Sequence, residues 1–300
     1  MRMPQQSFAA FIEPVPFQRV TQQNAKHLAG KRMPPARSIT SILLAAMLAC
    51  ALIANDNASA ATGVPRSEAL DRNALWTVVD NLCVPNMRLR GSPAPCAQVD
   101  LRRGFVVMKD IPGNAQVLLI PTRRITGIED PQLLSPAGLN YWQAAWEARA
   151  SFQQSLGRRV PRGVTGLAIN SALSRTQDQL HIHIDCLRPD IAALLRIRGD
   201  AIGSRWSDLR IPLAGRDYRA MRVMGEDLGS RDPFKLLAAG DPHARADMRR
   251  QTLVVAGYRS ARGKPGFILL SRRADSAAGD RAHGEDLLDP HCMALRQAMP

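Results

Sequence analysis

The stretch Gln179 to Cys186 reads QLHIHIDC and holds two of the six histidines in a 300-residue chain. In an extended strand successive side chains point to opposite faces. Gln179, His181, His183 and Asp185 would therefore share one face, and Leu180, Ile182, Ile184 and Cys186 the other. Three uses fit such a row of polar groups. It can be a polar strand face without chemistry. It can be half of a metal site, since two imidazoles at i and i+2 suit Zn²⁺ or a similar ion. A third ligand would then have to come through folding from Asp185, His243, His283 or His291. Or it can carry phosphoryl chemistry: a neutral imidazole is nucleophilic near pH 7 and can take a phosphoryl group as a phosphoramidate, splitting one displacement into two easier steps. A second imidazole and nearby amides would orient the nucleophile and balance charge on the phosphoryl oxygens. Arg175, Thr176, Gln177 and Gln179, just upstream, are groups of that kind.

The surrounding sequence supplies elements to position this strand. Ser67 can cap a helix through Leu82, whose apolar residues recur on one face, and VPNMRLRGSPAPC then reads as a loop. GFVVMK (104–109) and QVLLIP (116–121) flank the turn Asp110-Ile111-Pro112-Gly113-Asn114 and predict a hairpin. Ser135 and Pro136 open a helix that runs to about Leu156 and stops at Gly157, with Trp142 and Trp146 expected in the core. GVTGLAINS (163–171) and the histidine strand form a second hairpin. A short helix, IAALLRI, follows Pro189, and a third hairpin turns at residues 262–266. Hairpins outnumber parallel crossovers, so the expected class is α+β with a mainly antiparallel sheet and packed helices.

Upstream, Lys31, Arg32 and Arg37 precede the uncharged run Ile42 to Ala54, and Ala58-Ser59-Ala60 fits a small-residue cleavage site. Residues 1–61 thus read as a leader carrying a signal peptide or a membrane anchor (apolar core 39–54), and residues 62–300 as one catalytic domain. The basic flank places that domain outside the inner membrane, facing the periplasm, or free there after cleavage near Ala60. Cys50 lies inside the apolar run. The other four cysteines, an even number in an oxidising compartment, should form disulfides. Of three possible pairings we expect Cys83 with Cys96, which bracket a Pro- and Gly-containing loop, and Cys186 with Cys292.

Forty Lys and Arg against 26 Asp and Glu give a net charge of +14. Such a charge suits nucleic acid, an anionic membrane or a phosphate-bearing substrate. No zinc-finger spacing, helix-turn-helix cue or aromatic-interleaved basic strand specifies a nucleic-acid reader.

Several separated motifs carry a resemblance. The hairpin GFVVMKDIPGNAQVLLIP, a helix, GLAINS and then alternating histidines look like the histidine triad superfamily. More closely, LCVPN (82–86), PCAQV (95–99), LLIPTRRITGIEDPQLL, SRTQ, HIHIDCLRPD, the SRW near residue 205 and the late His291-Cys292 pair resemble the bacterial CDP-diacylglycerol pyrophosphatases, from about residue 68 to about 295. The resemblance implies a histidine-triad-like fold and hydrolysis of the pyrophosphate bond of CDP-diacylglycerol to CMP and phosphatidate through a covalent nucleotidyl-histidine. It implies no tightly bound metal or other cofactor, and places the enzyme at a membrane surface. The nucleophile position falls on His181 and the third triad histidine on His183. The first falls on Gln179, a departure, because an amide cannot carry a proton as imidazolium can. Asn170 and Thr176, with Gln177, fall where phosphate-holding side chains are expected, and Asp110 where ribose hydroxyls are held. The alternatives are a nucleotidyl hydrolase or transferase for soluble nucleotides, with the same nucleophile, and a metal-binding periplasmic protein without turnover.

Overall fold

The computed structural model describes residues 71–297, apart from Pro112 and Asn114; the leader expected over 1–61 lies outside the described residues. The strands are β1 (Gln98–Asp100), β2 (Phe105–Lys109), β3 (Val117–Pro121), β4 (Thr165–Ile169), β5 (Ile182–Leu187), β6 (Ser207–Asp208), β7 (Arg219–Met224), β8 (Gln251–Arg259), β9 (Pro265–Arg273) and β10 (Leu288–Asp289). The helices are α1 (Ala74–Val78), α2 (Val84–Arg90), α3 (Tyr141–Leu156), α4 (Pro189–Arg198), α5 (Pro233–Gly240), α6 (Pro242–Ala246) and α7 (Met293–Gln297). Among the described residues no helix is long and apolar enough to cross a membrane.

All ten strands join one antiparallel sheet in the order β1-β2-β3-β5-β4-β8-β9-β7-β6. β10 pairs with the far end of β5, past the point where β3 stops. The three expected hairpins are present, as β2–β3, β4–β5 and β8–β9. β7 was not expected. Its sequence RAMRVM alternates Arg, Met and Ala without a clean apolar face, and its place beside β9 comes from the sheet.

Three helix boundaries differ from expectation. Ser67 lies outside the described residues, and the first helix opens at Ala74, after a turn in which Asn73 N–H donates to Asp71 Oδ1. The first helix does not end at Leu82. A π-type turn over Val79–Cys83 lets the Val84 N–H reach the Val79 carbonyl, and the chain continues as α2 straight through Pro85. Widening the ladder just before the proline makes room for a ring that lacks an N–H. α3 starts at Tyr141 instead of Ser135, because Asn140 caps it, accepting from the N–H groups of Trp142 and Gln143 at 3.1 and 3.2 Å.

The sheet's two faces are covered differently. On one face a continuous core joins α3 and α5 to the strands, through Trp142, Trp146, Phe152 and Phe234 against Leu119, Leu167, Ile182, Ile184 and Leu269. Both tryptophans are core residues, as expected. The other face carries two separate clusters. Val79, Cys83 and Val84 of the N-terminal helical segment pack on Val106, Leu118 and Ile120; Ile191 and Leu195 of α4 pack on Ala168, Val254, Ile268 and Leu270. The cross-strand neighbours of His183 are Leu118 and Ala168, one from each cluster. The histidine row therefore lies in the seam between them. Both expected disulfides form: Cys83–Cys96 closes the N-terminal segment, and Cys186–Cys292 ties the C-terminal segment to β5.

Candidate active site

β5 presents His181 and His183 as the alternation requires, buried side by side with ring centroids 4.9 Å apart and planes nearly perpendicular. His181 Nδ1 lies 2.7 Å from the backbone carbonyl of Gln179. A carbonyl can only accept, so Nδ1 carries the proton and Nε2 holds a free lone pair. Burial first, and then the neighbouring His183, push the His181 pKa down to about 4, against the opposing pull of the Gln179 carbonyl, Glu285 and Asp110. The ring is neutral at pH 7, which is the nucleophilic form.

His183 is gripped from both sides. The amide Nε2 of Gln116 is 2.6 Å from its Nδ1 and also donates to Asp110 Oδ2 at 2.8 Å. When Nδ1 accepts from Gln116 the ring is neutral and its proton sits on Nε2; when the ring is protonated, its Nδ1–H faces Asp110. Glu285 Oε1 lies 3.1 Å from Nε2, close enough for charge to matter yet poorly aligned, so the Nε2–H has no hydrogen-bond partner of its own. Asp110 Oδ2 is 3.6 Å from Nδ1. Burial, the largest single influence, works to raise the pKa of both carboxyls, but the protonated form of His183, together with the Ile111 N–H at Asp110 and with Asn170, His283 and Gln116 at Glu285, outweighs it. Both stay below the usual range and are ionised at neutral pH.

Each wall of the site comes from a different segment. Asp110 and Gln116 flank the β2–β3 turn. Asn170 follows β4; its Nδ2 donates to Glu285 Oε1 at 2.6 Å, and its Oδ1 accepts from the Gly284 N–H at 2.8 Å. Glu285 belongs to a strap of residues 275–289 crossing this face, pinned by Arg272 to Asp280 at 2.9 Å and to Asp286 at 3.2 Å.

The other expected residues are placed elsewhere. Gln179 is fully buried, its amide donating to the carbonyls of Pro121 and Arg123 at 3.1 and 3.0 Å and accepting from Ile125 N–H at 3.4 Å. It staples the exit of β3. Gln177 accepts from Leu75 N–H and donates to the Asp71 carbonyl, holding the start of the N-terminal helix. Arg175 is spent on Glu129 and Asp178. Thr176 is exposed on the same loop. So the fold gathers His181, His183, Asp110 and Asn170 and leaves Thr176 and Gln177 outside. Gln116 and Glu285 were missed: one is the polar first residue of an apolar run, the other lies in a stretch without periodic pattern.

For the metal reading, Asp185, Cys186 and Cys292 are the one group of three potential ligand residues drawn together among the described residues. Its sulfurs are joined as a disulfide and offer no thiolate. No third ligand joins the histidine pair among the described residues.

A family model described as CDP-diacylglycerol pyrophosphatase matches residues 70–296, nearly all of the described structure. The chain belongs to that family. A CDP-diacylglycerol pyrophosphatase of Yersinia pestis is 40% identical over 223 residues, covering 74% of this chain and 85% of the relative. The matched span contains every wall of the site, from Asp110 to Glu285.

Proposed function

We propose that this hydrolase cleaves the pyrophosphate bond of CDP-diacylglycerol through a cytidylylated His181. The observation that carries the reading is the neutral His181 ring with its proton fixed on Nδ1 and Nε2 unprotonated. Nε2 attacks the phosphorus of the CMP moiety, a P–N bond forms, and the P–O bond to phosphatidate breaks, its electron pair leaving with the phosphatidate oxygen. The ring then carries positive charge, shared through Nδ1–H with the Gln179 carbonyl. Water next attacks the same phosphorus, the P–N electrons return to Nε2, CMP departs, and the surplus water proton passes to a base at the site's edge or to solvent.

His183 Nε2–H is a donor for a phosphoryl oxygen, with the Glu285 carboxylate close behind it, and the second N–H of Asn170 Nδ2 offers another. Asp110 spends Oδ1 on Ile111 N–H and Oδ2 on Gln116. That supports a role for it in ordering Gln116 and His183 at least as well as one in holding ribose. The kinship with histidine triad proteins is part of this reading, supported by the QLHIHI alternation and the antiparallel sheet. So is a periplasmic site of action at the inner membrane, supported by two disulfides and the basic-apolar leader.

The test is to incubate the full chain with CDP-diacylglycerol in detergent, with and without a chelator, beside His181→Ala. Chelator-resistant release of CMP that the variant loses is expected. Release that persists in a folded variant overturns the nucleophile, and a marked preference for soluble CDP-alcohols would move the substrate to the soluble class.

A further inference from the structure

Single exposed aliphatic residues are ordinary, but a cluster beside a site that handles a lipid calls for an occupant. Leu82 is 46% exposed, Leu89 83% and Ile111 98%. Leu82 and Leu89 sit on the N-terminal helical segment, whose inner residues Val79, Cys83 and Val84 already pack on the sheet. Their own side chains are left to solvent. Met87 of α2 and Met108 of β2 both pack at the margin of that same cluster. Cys83 is bonded to Cys96, whose neighbour Ala97 donates its N–H to the Val107 carbonyl, so α2, which follows Cys83, continues from there toward the end of β2 that runs into Asp110 and Ile111. Leu89, near the C-terminus of α2, and Ile111, just past the end of β2, therefore lie toward the same end of this cluster, and Asp110, in the wall of the histidine site, immediately precedes Ile111.

The same end of the cluster is basic. Arg88, Arg90 and Lys109 are exposed, and among the described residues none of them forms an ion pair with a carboxylate. Lys109 Nζ instead donates to the carbonyls of Asp110 and Gly113, holding its charge at the turn. Aliphatic tips among unpaired cations match a bilayer surface, where the tips enter the acyl boundary and the cations meet anionic headgroups. A protein groove would match the tips without needing the charges.

We propose that this corner, Leu82, Leu89 and Ile111 with Arg88, Arg90 and Lys109, docks on an anionic phospholipid surface and brings the histidine site to the bilayer. The inference rests on the liponucleotide reading above, and it names the surface through which that substrate is reached. Docking is additional to the apolar run Ile42 to Ala54, which lies upstream of this helix in the sequence.

The experiment uses the full chain and two substrates: long-chain CDP-diacylglycerol in vesicles of phosphatidylcholine and phosphatidylglycerol, and a short-chain CDP-diacylglycerol dissolved as monomer. The double variant Leu82→Glu/Leu89→Glu should lose about tenfold or more in kcat/KM on vesicles and stay within about twofold of wild type on the monomer. Arg88→Gln/Arg90→Gln should slow turnover on the anionic vesicles and leave it unchanged on phosphatidylcholine alone. Unchanged vesicle turnover in the double variant, or an equal fall on both substrates, overturns the proposal. A second readout needs no turnover: with Ile111→Trp, brominated acyl chains should quench tryptophan fluorescence beyond wild type, and equal quenching overturns the docking. Should wild type release CMP from neither substrate, the substrate reading fails and the quenching still decides the surface.

Discussion

His181 Nδ1 hydrogen-bonds the carbonyl of Gln179, two residues back on its own strand, at 2.7 Å. The backbone of one position thus sets the tautomer of the next histidine, whichever side chain that position carries. This is why a glutamine can stand where a first triad histidine is expected without disturbing the His181 ring.

His181→Ala should lower kcat by about a thousandfold or more while the folded spectrum is kept. A denaturing quench at alkaline pH, where a P–N bond survives, should leave a cytidylyl group on the wild-type peptide containing His181; its absence, with turnover intact, would falsify the covalent step. Since the ring titrates at about 4 in the fold and at 6.5 when unfolded, the unfolded state binds the extra proton between those values. Stability should therefore rise with pH from about 4 to 6.5, by up to about 3 kcal/mol, and His181→Ala should flatten that rise in urea titrations at several pH values.

Gln179→His tests whether the departure from the triad is a loss or a fixture. Imidazole cannot serve both the Pro121 and Arg123 carbonyls and also accept from Ile125 N–H. The variant should lose about 1–3 kcal/mol of stability and gain no activity. A faster and equally stable enzyme would show that the position belongs to the chemistry.

Glu285→Gln should reduce kcat by about ten- to a hundredfold with a smaller change in KM, because the carboxylate balances charge at His183 Nε2 and holds Asn170. ¹⁵N spectra of histidine-labelled protein should show the His183 ring altered in the variant. Unchanged ring signals together with unchanged kcat would remove Glu285 from the site.

Asp185 shares the histidine face but is sealed, with Oδ1 on Cys186 N–H and Oδ2 without a partner. Burial first, with Asp289 adding to it and the Cys186 N–H opposing, lifts its pKa from 3.8 to about 7. The folded state holds a proton there that the unfolded chain has released, so this group costs stability increasingly as pH rises from 3.8 to about 7. Asp185→Asn should gain about 2–3 kcal/mol more over wild type at pH 8 than at pH 5. At roughly 2–4 °C per kcal/mol, melting curves at the two pH values will resolve it.

Breaking Cys186–Cys292 should matter for stability and catalysis together. The bond closes a separation of 106 residues and holds the chain end that follows Glu285. Cys186→Ala/Cys292→Ala should cost about 2–5 kcal/mol and lower kcat along with Tm, whereas Cys83→Ala/Cys96→Ala should lower Tm with less effect on kcat. Equal effects on kcat would deny the strap its role.

Local rules made part of this protein legible from sequence. The alternation in QLHIHIDC put both histidines on one face because a strand has period two, and turn residues marked three hairpins because their backbone preferences are local. Four cysteines downstream of a leader-like run implied two bonds. Pro85 misled because a proline's cost depends on whether the preceding turn can widen, which helical periodicity does not encode.

What tertiary structure alone decided is where each amide and carboxylate spends its hydrogen bonds. Gln116, Gln177 and Gln179 are the same residue type, yet one grips His183, one holds a helix start and one staples a strand exit. Each was assigned by whichever donors or acceptors the folded chain left unpaired beside it, and a buried polar group must find such a partner. Glu285 reaches His183 across 102 positions because a disulfide and two ion pairs lay the strap over the sheet. The sequence by itself marked the histidine strand, its face and two bonds among four cysteines; which cysteines pair, the seam between two separate cores, and the walls closing it are fixed only once distant segments meet.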